Sequence, residues 1–198
     1  MKGRQNAWEI VNEFTKNQNL VKHMLAVEAA MQAYARKLDK NEELWATVGL
    51  LHDFDWEIHP RLDEHPIKGA EILRERGWDG EIIRTVLSHY PAGTGVHPVK
   101  LVDFALQACD DITGLITATA LVRPSKDIRD VQLRSIKKKW KDRSFAAGVG
   151  RPQVAEATEA FIAATPALAG WDFWQHVDFV LQAMQGIAPD LGLDGRMA

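Results

Sequence analysis

The residues with the clearest capacity for chemistry stand in Leu50-Leu51-His52-Asp53-Phe54-Asp55-Trp56-Glu57. An apolar run, Leu44 to Leu51, ends abruptly in an adjacent His-Asp pair, and two further acids follow. Burying such a pair is costly unless each group is paired or bound to a cation. An imidazole nitrogen beside a carboxylate suits divalent metals of the Mn, Fe, Co, Ni and Zn series. A plainer reading is that His52 and Asp53 close a helix end and hydrogen-bond each other. Other polar groups embedded in apolar surroundings shift the balance: His23, His65, His89 and Asp110-Asp111. A metal would satisfy several buried His and Asp side chains at once. The spacing is long, so separate helices must supply the donors, unlike a short HExxH element carried on one helix.

The elements that would position these groups read as helices. Trp8, Ile10, Val11 and Phe14 begin a short amphipathic segment. Leu20 to Leu38 follows at helical spacing, with His23 in its first turn. Glu42 to His52 is the apolar helix already described. Phe54 to Glu64 holds Pro60 and mixed charges, and is expected to be a loop lying over whatever His52 and Asp53 bind. A new helix is expected at His65-Pro66, ending near Gly77, and another from Gly80 to His89. Val99 to Val122 is long and apolar, with Asp110-Asp111 in its middle. Ser125 is placed to cap a basic helix over Asp127 to Lys141. Arg151 to Ala164 and Trp171 to Leu191 complete the chain. No segment alternates in the manner of a strand. The expectation is an all-α single domain over residues 1–198, with about seven to nine helices. Gly148-Val149-Gly150 is a joint within that helical body.

Composition narrows the function classes. The chain has 198 residues, 46% hydrophobic and 26% charged, enough to bury a real core. A net charge of −3 gives no electrostatic reason to expect nucleic acid or an anionic membrane as partner. The Lys137-Lys138-Lys139-Trp140-Lys141 run is read as a solvated helix face. Cys109 is the only cysteine, so there is no intramolecular disulfide, and a reducing cytoplasm is the expected location. The start of the chain is polar, without a signal-peptide core, and no run approaches a membrane span.

A lone His, then His-Asp closing an apolar helix, then a later helical Asp resembles the HD superfamily of metal-dependent phosphohydrolases. The resemblance covers about residues 20–122, with 123–198 as a helical extension. His23 matches the first ligand, His52-Asp53 the namesake pair, and Asp110 in Ala108-Cys109-Asp110-Asp111-Ile112 the final Asp. Choosing Asp110 over Asp111 rests on that match, because periodicity does not separate them. His65-Pro66-Ile67-Lys68-Gly69-Ala70 is similar to the His-Pro-x-x-Gly-Ala element of the HDIG-type branch. His89 falls where that branch places a further metal histidine. The resemblance implies one or two divalent ions (Mn, Fe, Mg, Co, Ni or Zn) on His23, His52, Asp53, His65, His89 and Asp110. The resemblance further implies that Asp53 would bridge, and that a metal-activated water would cleave a phosphoester of a small phosphorylated substrate, of the nucleotide or phosphomonoester class.

The catalytic candidates are Asp53, Asp55 and Glu57, the latter two as general acids or binders of metal waters, and Lys68 as a phosphate contact. Surface acids and a solvated lysine are the plainer readings of Asp55, Glu57 and Lys68. His59, His97 and His176 receive no role. The chain departs from the branch after His52-Asp53, where Phe54-Asp55-Trp56 replaces Ile-Gly-Lys. It also lacks a Gly-Tyr-Pro signature, so hydrolysis of cyclic dinucleotides is not implied. The alternatives are a di-iron oxygenase on the same fold and a non-catalytic metal-stabilised binding or signalling module.

Overall fold

The computed structural model describes residues 2–196. Among them it contains ten α-helices and two short 3-10 helices, and no strand. The all-α expectation therefore holds, and the helix number runs slightly higher. The addition is Pro91–Thr94, a single turn closed by Gly95 at φ 70°, too short to show periodicity. Among the described residues, no helix is long and apolar enough to cross a membrane. The chain divides into two compact units, residues 1–106 and 107–198.

The first unit carries α1 (Arg4–Phe14), α2 (Gln18–Lys37), α3 (Glu42–Leu51), α4 (Ile67–Glu75), α5 (Gly80–Ser88) and α6 (Pro91–Thr94). Side-chain caps set several starts: Asn17 accepts from Asn19 N, Asn41 from Leu44 N, and Asp79 from Glu81 N. Along α2, Met24, Val27, Met31 and Tyr34 are fully buried at the spacing of one helix face. Every side chain from Trp45 to Leu51 in α3 is buried. Each large apolar group there contributes about 1.5–3 kcal/mol relative to exposure.

Helix α3 lies very close to α2, and Gly49 makes that possible. A Cβ at Gly49 would lie 2.9 Å from Glu28 Cα and 3.0 Å from Glu28 N. Those are backbone atoms, which cannot swing aside. Gly49→Ala is therefore expected to destabilise the protein by about 2 kcal/mol, overpacking outweighing the better helix propensity of alanine. Thermal melting checks this, and an unchanged melting temperature would show that the two helices can part without cost.

The stretch between α3 and α4 is not a loose cover. Phe54 is fully buried, its ring 5.6 Å from that of Phe14, and its carbonyl accepts from the Thr15 hydroxyl at 2.9 Å. Helix α4 begins at Ile67, two residues after the expected His65, across a cis His65–Pro66 peptide. A residue preceding proline is disfavoured in the α conformation, which leaves His65 outside the helix.

Helix α7 (Leu101–Leu121) begins in the first unit and continues into the second. The second unit adds a 3-10 turn at Ile128–Asp130, α8 (Leu133–Lys141), α9 (Arg151–Ala164), a 3-10 turn at Pro166–Leu168 and α10 (Phe173–Gln185). The basic helix expected over 127–141 is thus broken. Asp127, not Ser125, accepts from the backbone at Arg129 N, 2.9 Å. Val131 is extended and buried, and Gln185 Nε2 donates to the carbonyls of Ile128 and Val131, each at 3.1 Å. Those bonds hold two carbonyls away from a helical ladder. In α8 only Ile136 is buried, which fits the solvated basic face. Asp172 and Gln175 form a reciprocal cap at the start of α10.

Candidate metal centre

Four histidines of the first unit converge in two pairs. His23, in the second turn of α2, and His52, which closes α3, bring their Nε2 atoms within 3.2 Å. His65, just before α4, and His89, which closes α5, bring theirs within 3.1 Å. Asp53 stands between the pairs and divides its carboxylate between them. Its Oδ2 lies 3.6 Å from the Nε2 of both His23 and His52. Its Oδ1 lies 3.2 Å from His65 Nε2 and 3.5 Å from His89 Nε2. His52 is completely buried and His65 nearly so, while His23 and Asp53 are half-buried.

The opposite ring nitrogens show what this arrangement is built to hold. His52 Nδ1 lies 2.7 Å from Gly49 O, and His89 Nδ1 2.5 Å from Val86 O. His65 Nδ1 lies 2.8 Å from Asp55 Oδ1. Carbonyl and carboxylate oxygens only accept, so each of these rings donates from Nδ1, and the neutral ring then carries its lone pair on Nε2. The Nε2 lone pairs of His65 and His89 consequently face each other at 3.1 Å, with a carboxylate oxygen beside them. Such a cluster needs cations between its atoms, and donated Nδ1 protons are the usual support for metal-binding imidazoles. Asp53, His65 and His89 offer ligand atoms that all lie within 4.8 Å of one another. The donors fit a divalent metal of the first transition series.

In the metal-free chain, protons take the place of that charge. Burial opposes ionisation of Asp53, but the charge on His52, hydrogen bonds from His65 and His89, and the charge on His23 hold it well below the usual carboxylate range. Burial likewise opposes charge on His65. Its hydrogen bonds to Asp53 and Asp55, and their charges, outweigh that and raise it to about 9.

The remaining residues singled out by sequence are placed as follows. Asp110 lies on α7 in the second unit, half-buried, whereas Asp111 on the same helix is exposed. Asp55 is completely buried, with Oδ1 on His65 and Oδ2 accepting from Gly69 N at 2.9 Å. That is the environment of a structural anion and not of a surface acid. Glu57 turns to the start of α2, where its Oε2 accepts from Lys16 N at 2.7 Å and Asn17 N at 2.8 Å. Lys68 is exposed on α4 and pairs with Glu71 at 2.8 Å. The structure therefore brings neither Glu57 nor Lys68 into the histidine cluster by these contacts. His176 is a fully buried core residue of the second unit, donating to Ala108 O at 2.9 Å, and burial pushes it down to about 4.

Supporting groups that sequence reading missed are the carbonyls of Gly49 and Val86, the Gly69 N–H, and the Trp56 ring, 4.9 Å from His65. Only Gly69 left a trace in the sequence, as the glycine of His-Pro-x-x-Gly-Ala.

Residues 20–115 match the family model described as HD domain. Ribonuclease Y of Thermosipho melanesiensis is 33% identical over 92 residues, which cover 46% of this chain and 18% of that protein. The chain thus spans less than a fifth of that relative's length. No solved structure matches the chain.

Proposed function

We propose that this chain, whose residues 20–115 match the HD domain model, is a metal-dependent phosphohydrolase acting on a small phosphorylated molecule, with nucleotides and phosphomonoesters as the substrate classes to test. The observation that carries this reading is the carboxylate of Asp53, one oxygen turned to each histidine pair. In it, His23, His52 and Asp53 hold one ion, with Asp110 as the further ligand by family resemblance. Asp53, His65 and His89 hold a second. Divalent ions at these positions would acidify a water and polarise a phosphorus centre. The chain's own part is to keep the Nε2 atoms deprotonated and aimed, through the Nδ1 bonds to Gly49, Val86 and Asp55. Asp53 supplies the negative charge that lets two cations lie close together.

Metal analysis of protein purified without added metal, followed by a phosphate-release screen on a nucleotide and phosphomonoester panel, tests this. About two divalent ions per chain are expected when replete, and His89→Ala is expected to keep about one, because only one pair loses a ligand. Absence of both metal and phosphate release would overturn the reading. Oxygen-dependent absorbance from bound iron, without phosphate release, would replace it with oxidation on the same ligands.

A further inference from the structure

The geometry points to Asp55 as the positioning residue for His65, with Gly69 as the device that admits it. This rests on the metal-binding reading above. Asp55 lies two residues beyond Asp53, yet it does not face the cluster as a ligand. Its carboxylate is completely buried behind His65. Oδ1 takes the Nδ1 proton of His65 at 2.8 Å, and Oδ2 takes the N–H of Gly69 at 2.9 Å.

Three features make this a built arrangement. First, α4 has no side-chain cap of its own, because its N-terminal flanking residue is Pro66. Gly69 lies in the first turn of that helix, where N–H groups lack partners within the helix. Asp55 supplies the acceptor from elsewhere in the chain and sits at the positive end of the helix dipole. Second, the position tolerates no side chain. A Cβ at Gly69 would lie 2.5 Å from Asp55 Cγ and under 3 Å from both its oxygens. Gly69 is not in a left-handed conformation, so close approach is the reason for glycine. Third, a carboxylate is the one side chain of this size that accepts at both oxygens. Two donors, an imidazole N–H and a backbone N–H, require that.

The consequence is a tautomer lock. With Asp55 accepting at Nδ1, the neutral His65 ring must present its lone pair at Nε2, toward Asp53 and His89. Asparagine has one oxygen and one NH2. Its oxygen can keep the bond from Gly69 N, and its NH2 then faces His65 Nδ1 as a donor. The ring answers by moving its proton to Nε2, and the ligand lone pair is lost. Asp55→Asn thus preserves the cap of α4 while reversing the tautomer.

The test is isothermal titration of the metal-free full chain with Mn2+, together with 15N NMR of the histidine rings in the zinc-loaded protein. Asp55→Asn is expected to weaken one of two binding events by about 10–100-fold and leave the other unchanged. A cooperative thermal melt of the metal-free variant is the control that it folds. The His65 ring of the zinc-loaded parent should carry its proton on Nδ1, and that of the variant, at a zinc level that fills only its stronger site, on Nε2. Gly69→Ala, which displaces the carboxylate without altering it, should weaken the same event. Equal binding of two ions by parent and Asp55→Asn would overturn the positioning role and leave the hydrolase reading intact. A parent ring protonated on Nε2 would overturn it without any variant. A parent that binds no metal would overturn both.

Discussion

Asp53→Asn is expected to lower phosphate release by several powers of ten while the protein stays folded. Asp53 is the residue whose two oxygens address both histidine pairs, so its loss disturbs the whole centre and not one half of it. Asparagine keeps the size and one acceptor but removes the anion that holds two cations close. Each ~1.4 kcal/mol of lost transition-state stabilisation costs about tenfold in rate. The apolar cores of α2 and α3 do not depend on this charge, and the fold should survive at neutral pH. Turnover and thermal melting of the variant and its parent, both saturated with manganese, check the expectation. Near-normal hydrolysis by a well-folded variant would remove the metal-hydrolase reading and move a binding module ahead of it.

Metal-free and metal-loaded protein should respond to pH in opposite directions. In the metal-free chain the pKa of His65 is raised from 6.5 to about 9. The folded state therefore binds the proton more tightly than the unfolded state. Its stabilisation is fully present below pH 6.5 and is lost as pH climbs through about 9. A shift of that size amounts to something on the order of 3 kcal/mol. Asp53 is depressed, so its contribution is lost only as pH falls through the acid range and does not enter this window. With metal bound the sign reverses, because the ion competes with the proton for Nε2 and binds better as pH rises. Melting temperatures between pH 6.5 and 9 should fall in chelator and rise in manganese. His65→Gln should lose most of the metal-free slope. A metal-free protein that grows more stable across this range would show that another group governs its titration.

Much of the fold was legible because its causes are local. Asn17, Asn41 and Asp79 bond to backbone N–H groups two or three residues on, and such caps are written in the sequence itself. Helical spacing marked α2 and an apolar run marked α3, and α9 lies over the very residues expected, Arg151 to Ala164. The break at Val131 was not legible, because the bonds that hold it come from Gln185, more than fifty residues away.

The candidate site divides in the same manner. Embedded His and Asp groups suggested a shared cation from residue type alone, while the expected ligand set of His23, His52, Asp53, His65, His89 and Asp110 came from the resemblance to the HD superfamily, which also chose Asp110 over Asp111. Three neighbouring acids, Asp53, Asp55 and Glu57, were indistinguishable by type, and tertiary structure separated them. Asp53 faces the histidine pairs, Asp55 is buried behind His65 and fills the space left by Gly69, and Glu57 fastens the start of α2. Each role depends on a partner 10 to 41 residues distant in sequence. Residue type determines what a side chain can bond to, but only the packing of α2, α3, α4 and α5 decides which partner lies within reach.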